Sequence, residues 1–165
     1  MTHGDFVGAL IMAAASMTLI VLLLRLMWRG WRARAERQTD TVGELPTVPT
    51  ERGDTVIEPT EGLYVGSTIA PDWQDRIAAG DLGYRANATL TRYTKGILLE
   101  RSGTGDIWIP TDVITEIRTA RALAGKVLTH DGILAIRWRL PSGTEIDTGF
   151  LARPRSEYEE WKQAS

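Results

Sequence analysis

The stretch from Phe6 to Leu24, FVGALIMAAASMTLIVLLL, carries no charge, no proline and no strongly polar side chain. At about 1.5 Å of rise per residue, a helix of this length spans roughly 28 Å, close to the hydrocarbon thickness of a bilayer. In that environment only a helix satisfies its backbone hydrogen bonds within one segment. The stretch therefore predicts a transmembrane helix with Phe6 and Leu24 as its bounds. A core helix of a soluble protein is the competing reading, and it needs a larger surrounding domain than the remaining chain supplies.

The flanks predict orientation. His3 and Asp5 precede the span, whereas Arg25, Arg29, Arg32, Arg34 and Arg37 follow it. The positive-inside rule places those arginines in the cytoplasm, with the amino terminus outside and the rest of the chain at the inner face of the plasma membrane. Trp28 and Trp31 lie among them, where an amphipathic indole suits the headgroup level. Arg25, Trp28, Arg29, Trp31, Arg32 and Arg34 are thus the expected interface residues. A cleaved signal peptide has its positive charge before the apolar run and a small-residue site after it, so this helix is expected to be retained. Gly4 and Gly8, like Ala9 and Ala13, have the spacing of small residues that lets membrane helices approach, which allows homo-association through this face.

Charge is distributed unevenly along the chain. Residues 1–37 hold 5 basic and 2 acidic side chains, residues 38–60 hold 1 and 5, and residues 61–165 hold 13 and 14. The last segment is near neutral, which excludes a general nucleic-acid binder. The basic collar reads as a topology signal and a contact with anionic lipid, making the bilayer the first partner. The chain has no cysteine, so disulfides and thiolate metal sites are excluded.

Residues 38–60 contain Pro46, Pro49 and Pro59, several threonines and few large apolar side chains, a composition that predicts an extended, mobile linker. Acid-flanked Thr47 and Thr50 are candidate phosphorylation sites within it, but a solvated spacer is the preferred reading of both. The expected organisation is a membrane helix with its basic collar over 1–37, a linker over 38–60 and a folded domain over 61–165.

From Leu63 onward, short apolar runs alternate with glycine-containing turns, the pattern of antiparallel β structure. Seven strands are predicted: Leu63 to Ser67, Arg85 to Thr91, Gly96 to Arg101, Ile107 to Ile109, Val113 to Thr119, Ile133 to Leu140, and Thr144 to Phe150. Asp72 to Ala79 reads as a helical turn, capped by Asp72, with Trp73 and Ile77 on one face.

The last two strands predict their own register. A three-residue loop, Pro141 to Gly143, with Gly143 left-handed pairs Arg139 with Glu145, Trp138 with Ile146 and Arg137 with Asp147. Leu134, Ile136, Trp138, Ile146 and Phe150 then face the core, and two opposite-charge pairs line the solvent face. A stacking or anion-binding role for Arg137, Trp138 and Arg139 is the competing reading. It loses because the charges already have partners.

After the seventh strand, Ser156 and Glu159 fit a capping box, and Tyr158 and Trp161 share a face of a short closing helix. With Trp108, Trp138 and Phe150, Trp161 completes the expected aromatic core. A mainly β domain of seven strands, sandwich or barrel, closed by one carboxy-terminal helix, is the element order of the pleckstrin-homology (PH) superfold.

The motifs WIP at Trp108 to Pro110, AGK at Ala124 to Lys126 and DTGF at Asp147 to Phe150, behind an amino-terminal membrane helix, carry a resemblance. The chain resembles actinobacterial single-pass membrane proteins with a PH-like domain, often labelled transporter or export proteins. The resemblance implies a PH-like fold and supplies no catalytic residues.

The residues themselves point to no catalytic centre, cofactor or metal. His3 and His130 make neither a metal pair nor part of a nucleophilic triad, and no phosphate-cradling glycine loop occurs. Asp72 and Asp75 read as a solvated turn, and the Asn87, Ala88, Thr89 glycosylation pattern as chance on a cytoplasmic strand. The first interstrand loop sets Asp72, Asp75 and Asp81 against Arg76, so the basic cluster that grips phosphoinositides is missing. Protein binding through a groove or an edge strand is the leading expectation, in the form of a membrane-anchored adaptor with a membrane-proximal protein partner. The alternative is an accessory single-span subunit of a transport or export complex, whose membrane helix makes the specific contact.

Overall fold

The computed structural model describes residues 3–153 and 158–163. The chain divides into two units, residues 1–37 and residues 38–165.

The first unit is most of helix α1, His3–Val42, which is long and apolar enough to cross a membrane. Its large apolar side chains, including Phe6 and Leu24, are exposed, and so are Trp28 and Trp31. Ser16 and Thr18 donate their hydroxyls to the carbonyls of Met12 and Ala14 at 2.9 and 2.8 Å, so the apolar run satisfies its own polar side chains. The Arg32 guanidinium sits 5.8 Å from the centre of the Trp28 ring. Arg25 and Arg29 lie on the same helix, as does the backbone of Arg34.

The second unit begins where a mobile linker was expected. Gln38–Val42 is the last turn of α1, and strand β1 already starts at Thr55, leaving only residues 43–54 outside regular structure. The reason lies in burial. Gln38 is 7% and Val42 4% exposed; the Gln38 amide accepts from the Ala78 N–H at 2.8 Å and donates to the Arg76 carbonyl at 3.2 Å. The Thr41 carbonyl accepts from the hydroxyls of Ser142 and Thr144 at 2.7 and 2.9 Å.

The domain is a seven-stranded antiparallel sheet. Its strands are β1 (Thr55–Ile69), β2 (Ala86–Tyr93), β3 (Gly96–Arg101), β4 (Ile107–Pro110), β5 (Ile114–Ala120), β8 (Ile133–Arg139) and β9 (Glu145–Ala152). The spatial order is β4-β3-β2-β1-β9-β8-β5. The two edge strands are consecutive in sequence and joined by a three-residue 3-10 turn, Thr111–Val113, so the sheet must curl on itself into a partly open barrel. β1 serves both halves: Thr55–Tyr64 pairs with β2, and Gly62–Ile69 pairs with β9, with a register shift between Tyr64 and Gly66. Gly66 has φ +139°, and a Cβ there would approach that of Ala124 to 2.8 Å.

All three charge and core pairs expected of the last hairpin are present: Arg139 with Glu145, Trp138 with Ile146, and Arg137 with Asp147. Gly143 is left-handed, at φ +91°. One expectation fails: Asp147 does not line the solvent face but is 1% exposed.

Alternate residues of β8 serve two cores. Leu134, Ile136 and Trp138 join Leu90, Ile97 and Phe150 inside the barrel. Ile133 and Ala135 face outward against Val65, Leu123 and Ala124. The small hairpin of β6 (Ala122–Leu123) and β7 (Lys126–Val127) covers that second cluster, with Ala124 at φ +50° in its turn. Trp108 is buried, but on the face opposite Ile107 and Ile109, over Gly96 and 6.4 Å from the Tyr93 ring. Helix α2, Tyr158–Gln163, buries Tyr158 and Trp161 in the main core. The Tyr158 hydroxyl accepts from the Ala152 N–H at 2.8 Å and donates to the Gly132 carbonyl at 2.9 Å. Ser156, the expected cap, lies outside the described residues.

The helical turn expected over Asp72 to Ala79 does not form. Asp72 accepts from the Gln74 N–H at 2.8 Å, the bond a helix cap would make, but the chain continues as a turn. Trp73 is 38% exposed while Ile77 is fully buried, so the two do not share a face. The nearest helical element is a 3-10 turn at Gly80–Gly83.

Candidate protein-docking edge

Two strand edges are unpaired in the main sheet. β4 is four residues long and ends at Pro110, which has no N–H to offer, so it is a poor template for a further strand. β5 is seven residues long and pairs only with β8. Its register with β8 shifts between Ile114 and Glu116 and is regular from Glu116 to Ala120. Ile117 turns into the core, and Glu116 and Arg118 occupy the other face.

Those two charges belong to a network across three strands. Arg118 Nη2 donates to Asp147 Oδ2 at 2.7 Å and Arg118 Nε to Glu116 Oε2 at 3.3 Å. Arg137 forks onto Asp147 with two bonds of 2.9 Å, and its Nη1 lies 3.8 Å from Glu116 Oε2. Asp147 is buried beneath two guanidiniums that are partly exposed. The hydrogen bonds to Asp147 raise the pKa of Arg137 above its ordinary value, against the opposing effect of burial. The network stiffens β5 from its outer face while leaving its far edge unpaired.

A second charged feature lies at the β6–β7 turn. Arg76 and Arg85 both donate to the Ala124 carbonyl, at 3.1 and 3.3 Å, and continue to the carbonyls of Gly83 and Val65. Burial, then the neighbouring Arg85 charge, lowers the pKa of Arg76. Both arginines spend their donors on backbone carbonyls, so their first role is to pin the loop between β1 and β2 to the hairpin. A groove of about 540 Å³ between the start of β1 and α2 is lined by Val56, Glu58, Pro59, Glu159 and Glu160 among others.

Among the described residues, no group of three or more His, Asp or Glu side chains is placed to hold a metal ion. Of the expected core aromatics, Trp138, Phe150 and Trp161 meet in one cluster and Trp108 stands apart from it. Sequence reasoning did not single out Arg118 or the burial of Asp147. The signal for both was present in the alternation of β5 and β9, which puts Glu116, Arg118 and Asp147 on one face of the two strands that flank β8.

A comparison with curated proteins finds no match. The model of the family described as Bacterial PH domain-like matches residues 42–165, more than half of the chain. The match starts at the buried Val42, in agreement with a domain that includes the supposed linker. With its long shared first strand, its curled antiparallel sheet and its closing helix, the chain belongs to the bacterial PH domain-like family.

Proposed function

We propose that this protein is a membrane-anchored binding module whose PH-like domain docks a protein partner at the inner face of the plasma membrane. The observation that carries the reading is the unpaired edge of β5, a regular strand whose outward backbone groups can accept another strand. The apolar helix supports the anchor, and the arginines after it support an outside amino terminus and a cytoplasmic domain. Anchoring raises the effective concentration of the domain toward membrane-proximal partners.

The test is a crosslinking pull-down from native membranes, comparing the full chain with one in which Phe6 to Leu24 is replaced by an unrelated apolar span. Recovery of the same partner with both chains is the expected result. Loss of the partner with the replaced span assigns recognition to the helix and turns the protein into an accessory subunit of a membrane complex.

A further inference from the structure

The segment Thr115-Glu116-Ile117-Arg118-Thr119 reads the same in both directions, except that the two charges exchange sign. It is also the centre of the unpaired edge. Resting on the reading that the domain docks protein through β5, we propose that the partner is a second copy of this chain, paired edge to edge and antiparallel about Ile117.

A two-fold axis at Ile117 sets each residue opposite its mirror position in the other copy. Glu116 then faces Arg118 twice, once in each direction, and Thr115 faces Thr119. Directly opposed side chains in antiparallel strands lie about 4.5–5.5 Å apart at Cβ, within reach of a Glu–Arg bond. The interface is isologous, the commonest form of a closed dimer, and it joins two seven-stranded sheets into one continuous sheet. The Glu116 side chain is 47% exposed and, among the described residues, makes its contacts through Oε2, leaving Oε1 for the second copy.

Charge and a register shift usually guard an edge against pairing. Here the shift lies before Glu116, outside the three positions at the centre of the proposed pairing. The charges attract a strand carrying Arg and Glu in the mirrored order and repel one carrying them in the other order, which favours a second copy over an arbitrary edge. Two copies anchored in the same membrane meet at high effective concentration, so a short pairing suffices.

The chain has no cysteine, so the register is testable with introduced ones. Full chains carrying Glu116→Cys and full chains carrying Arg118→Cys are coexpressed, and disulfides are read in native membranes. Pairing about Ile117 joins unlike copies and leaves like copies, two positions out of register, beyond disulfide reach. In otherwise unaltered chains, Glu116→Arg sets Arg opposite Arg at both positions and lowers the dimer fraction by about tenfold or more. A single cooperative urea transition confirms that the domain is still folded, since the loss of the bonds from Glu116 to Arg118 and Arg137 lowers the midpoint by itself. Equal crosslinking of like and unlike copies, or a dimer fraction indifferent to Glu116→Arg, overturns the proposal. A photocrosslinker at Thr115 separates it from the broader reading. Capture of a different protein there overturns self-pairing and keeps protein docking, whereas capture of nothing overturns both.

Discussion

Trp138 and Leu82 are the two ends of a hydrogen-bonded chain through the core. The indole N–H donates to Thr148 Oγ1 at 2.9 Å, Thr148 and Ser67 lie 3.0 Å apart, Ser67 and Tyr64 lie 3.0 Å apart, and the Tyr64 hydroxyl donates to the Leu82 carbonyl at 2.8 Å. The indole can only donate and the carbonyl can only accept. Each hydroxyl has one proton, so every proton direction between them is set: Thr148 donates to Ser67, and Ser67 to Tyr64. Such a chain polarises in one sense and strengthens along its length.

Breaking this chain at Thr148 or at Ser67 should destabilise the domain. Thr148→Val leaves the Trp138 N–H without an acceptor, and Ser67→Ala leaves the Thr148 proton without one, each costing about 1–3 kcal/mol in urea unfolding. The double variant should cost less than the sum, because the second substitution removes a link already broken. Strict additivity would show that the four hydrogen bonds act independently.

The same chain predicts an alkaline limit. Burial pushes the pKa of Tyr64 up to about 12, opposed by the Ser67 hydrogen bond and by the Arg101 and Arg76 charges. In the unfolded chain the phenol titrates near 10, so above that pH the unfolded state loses a proton that the folded state keeps. Stability from this group is therefore complete below pH 10 and falls by about 2–3 kcal/mol by pH 12. Tyr64→Phe should flatten the decline in midpoint between pH 9.5 and 11.5 relative to the unaltered protein.

Asp147 and Glu145 should behave differently although each pairs with an arginine across the same hairpin. Asp147→Asn removes the charge under Arg118 and Arg137 and should cost roughly 2–4 kcal/mol, somewhat below a fully buried pair because the arginines reach water. Glu145→Gln touches the exposed pair with Arg139, at 3.3 Å, and should change stability by less than about 1 kcal/mol. Equal effects on the urea midpoint would contradict the burial of Asp147.

Arg92 should be a residue the fold is better without. It is 8% exposed on β2, its Nη1 has no partner among the described residues, and burial lowers its pKa. Arg92→Met keeps an unbranched apolar stem in place of the buried part of the side chain and removes the charge, so stability should rise by roughly 1 kcal/mol. A loss of stability would show that the guanidinium has a partner in solution.

The legible parts of the sequence were those in which local chemistry and tertiary need agree. Pro141 to Gly143 admits one turn, and the alternation on both sides leaves one register, so the pairing of Trp138 with Ile146 followed. The first half of β1 was hidden because Thr55, Glu58, Pro59 and Thr60 have linker chemistry, and register shifts between Thr55 and Thr60 break the alternation a strand would show. At Asp72 the turn uses the same side-chain bond that caps a helix, so the residue alone does not distinguish them. β5 was legible as a strand, but its place at the edge depends on which strands lie beside it, which periodicity does not encode.

The contacts of Gln38, Thr41 and Val42 bear on where this chain can be cut. A fragment begun at residue 61, where the composition changes, would lose the first six residues of β1 and the Val42 side chain from the core. It would also leave the Ala78 N–H and the Ser142 and Thr144 hydroxyls without the partners that Gln38 and Thr41 supply. A version of the domain cut free of the apolar run keeps these contacts when it begins at Gln38, inside helix α1.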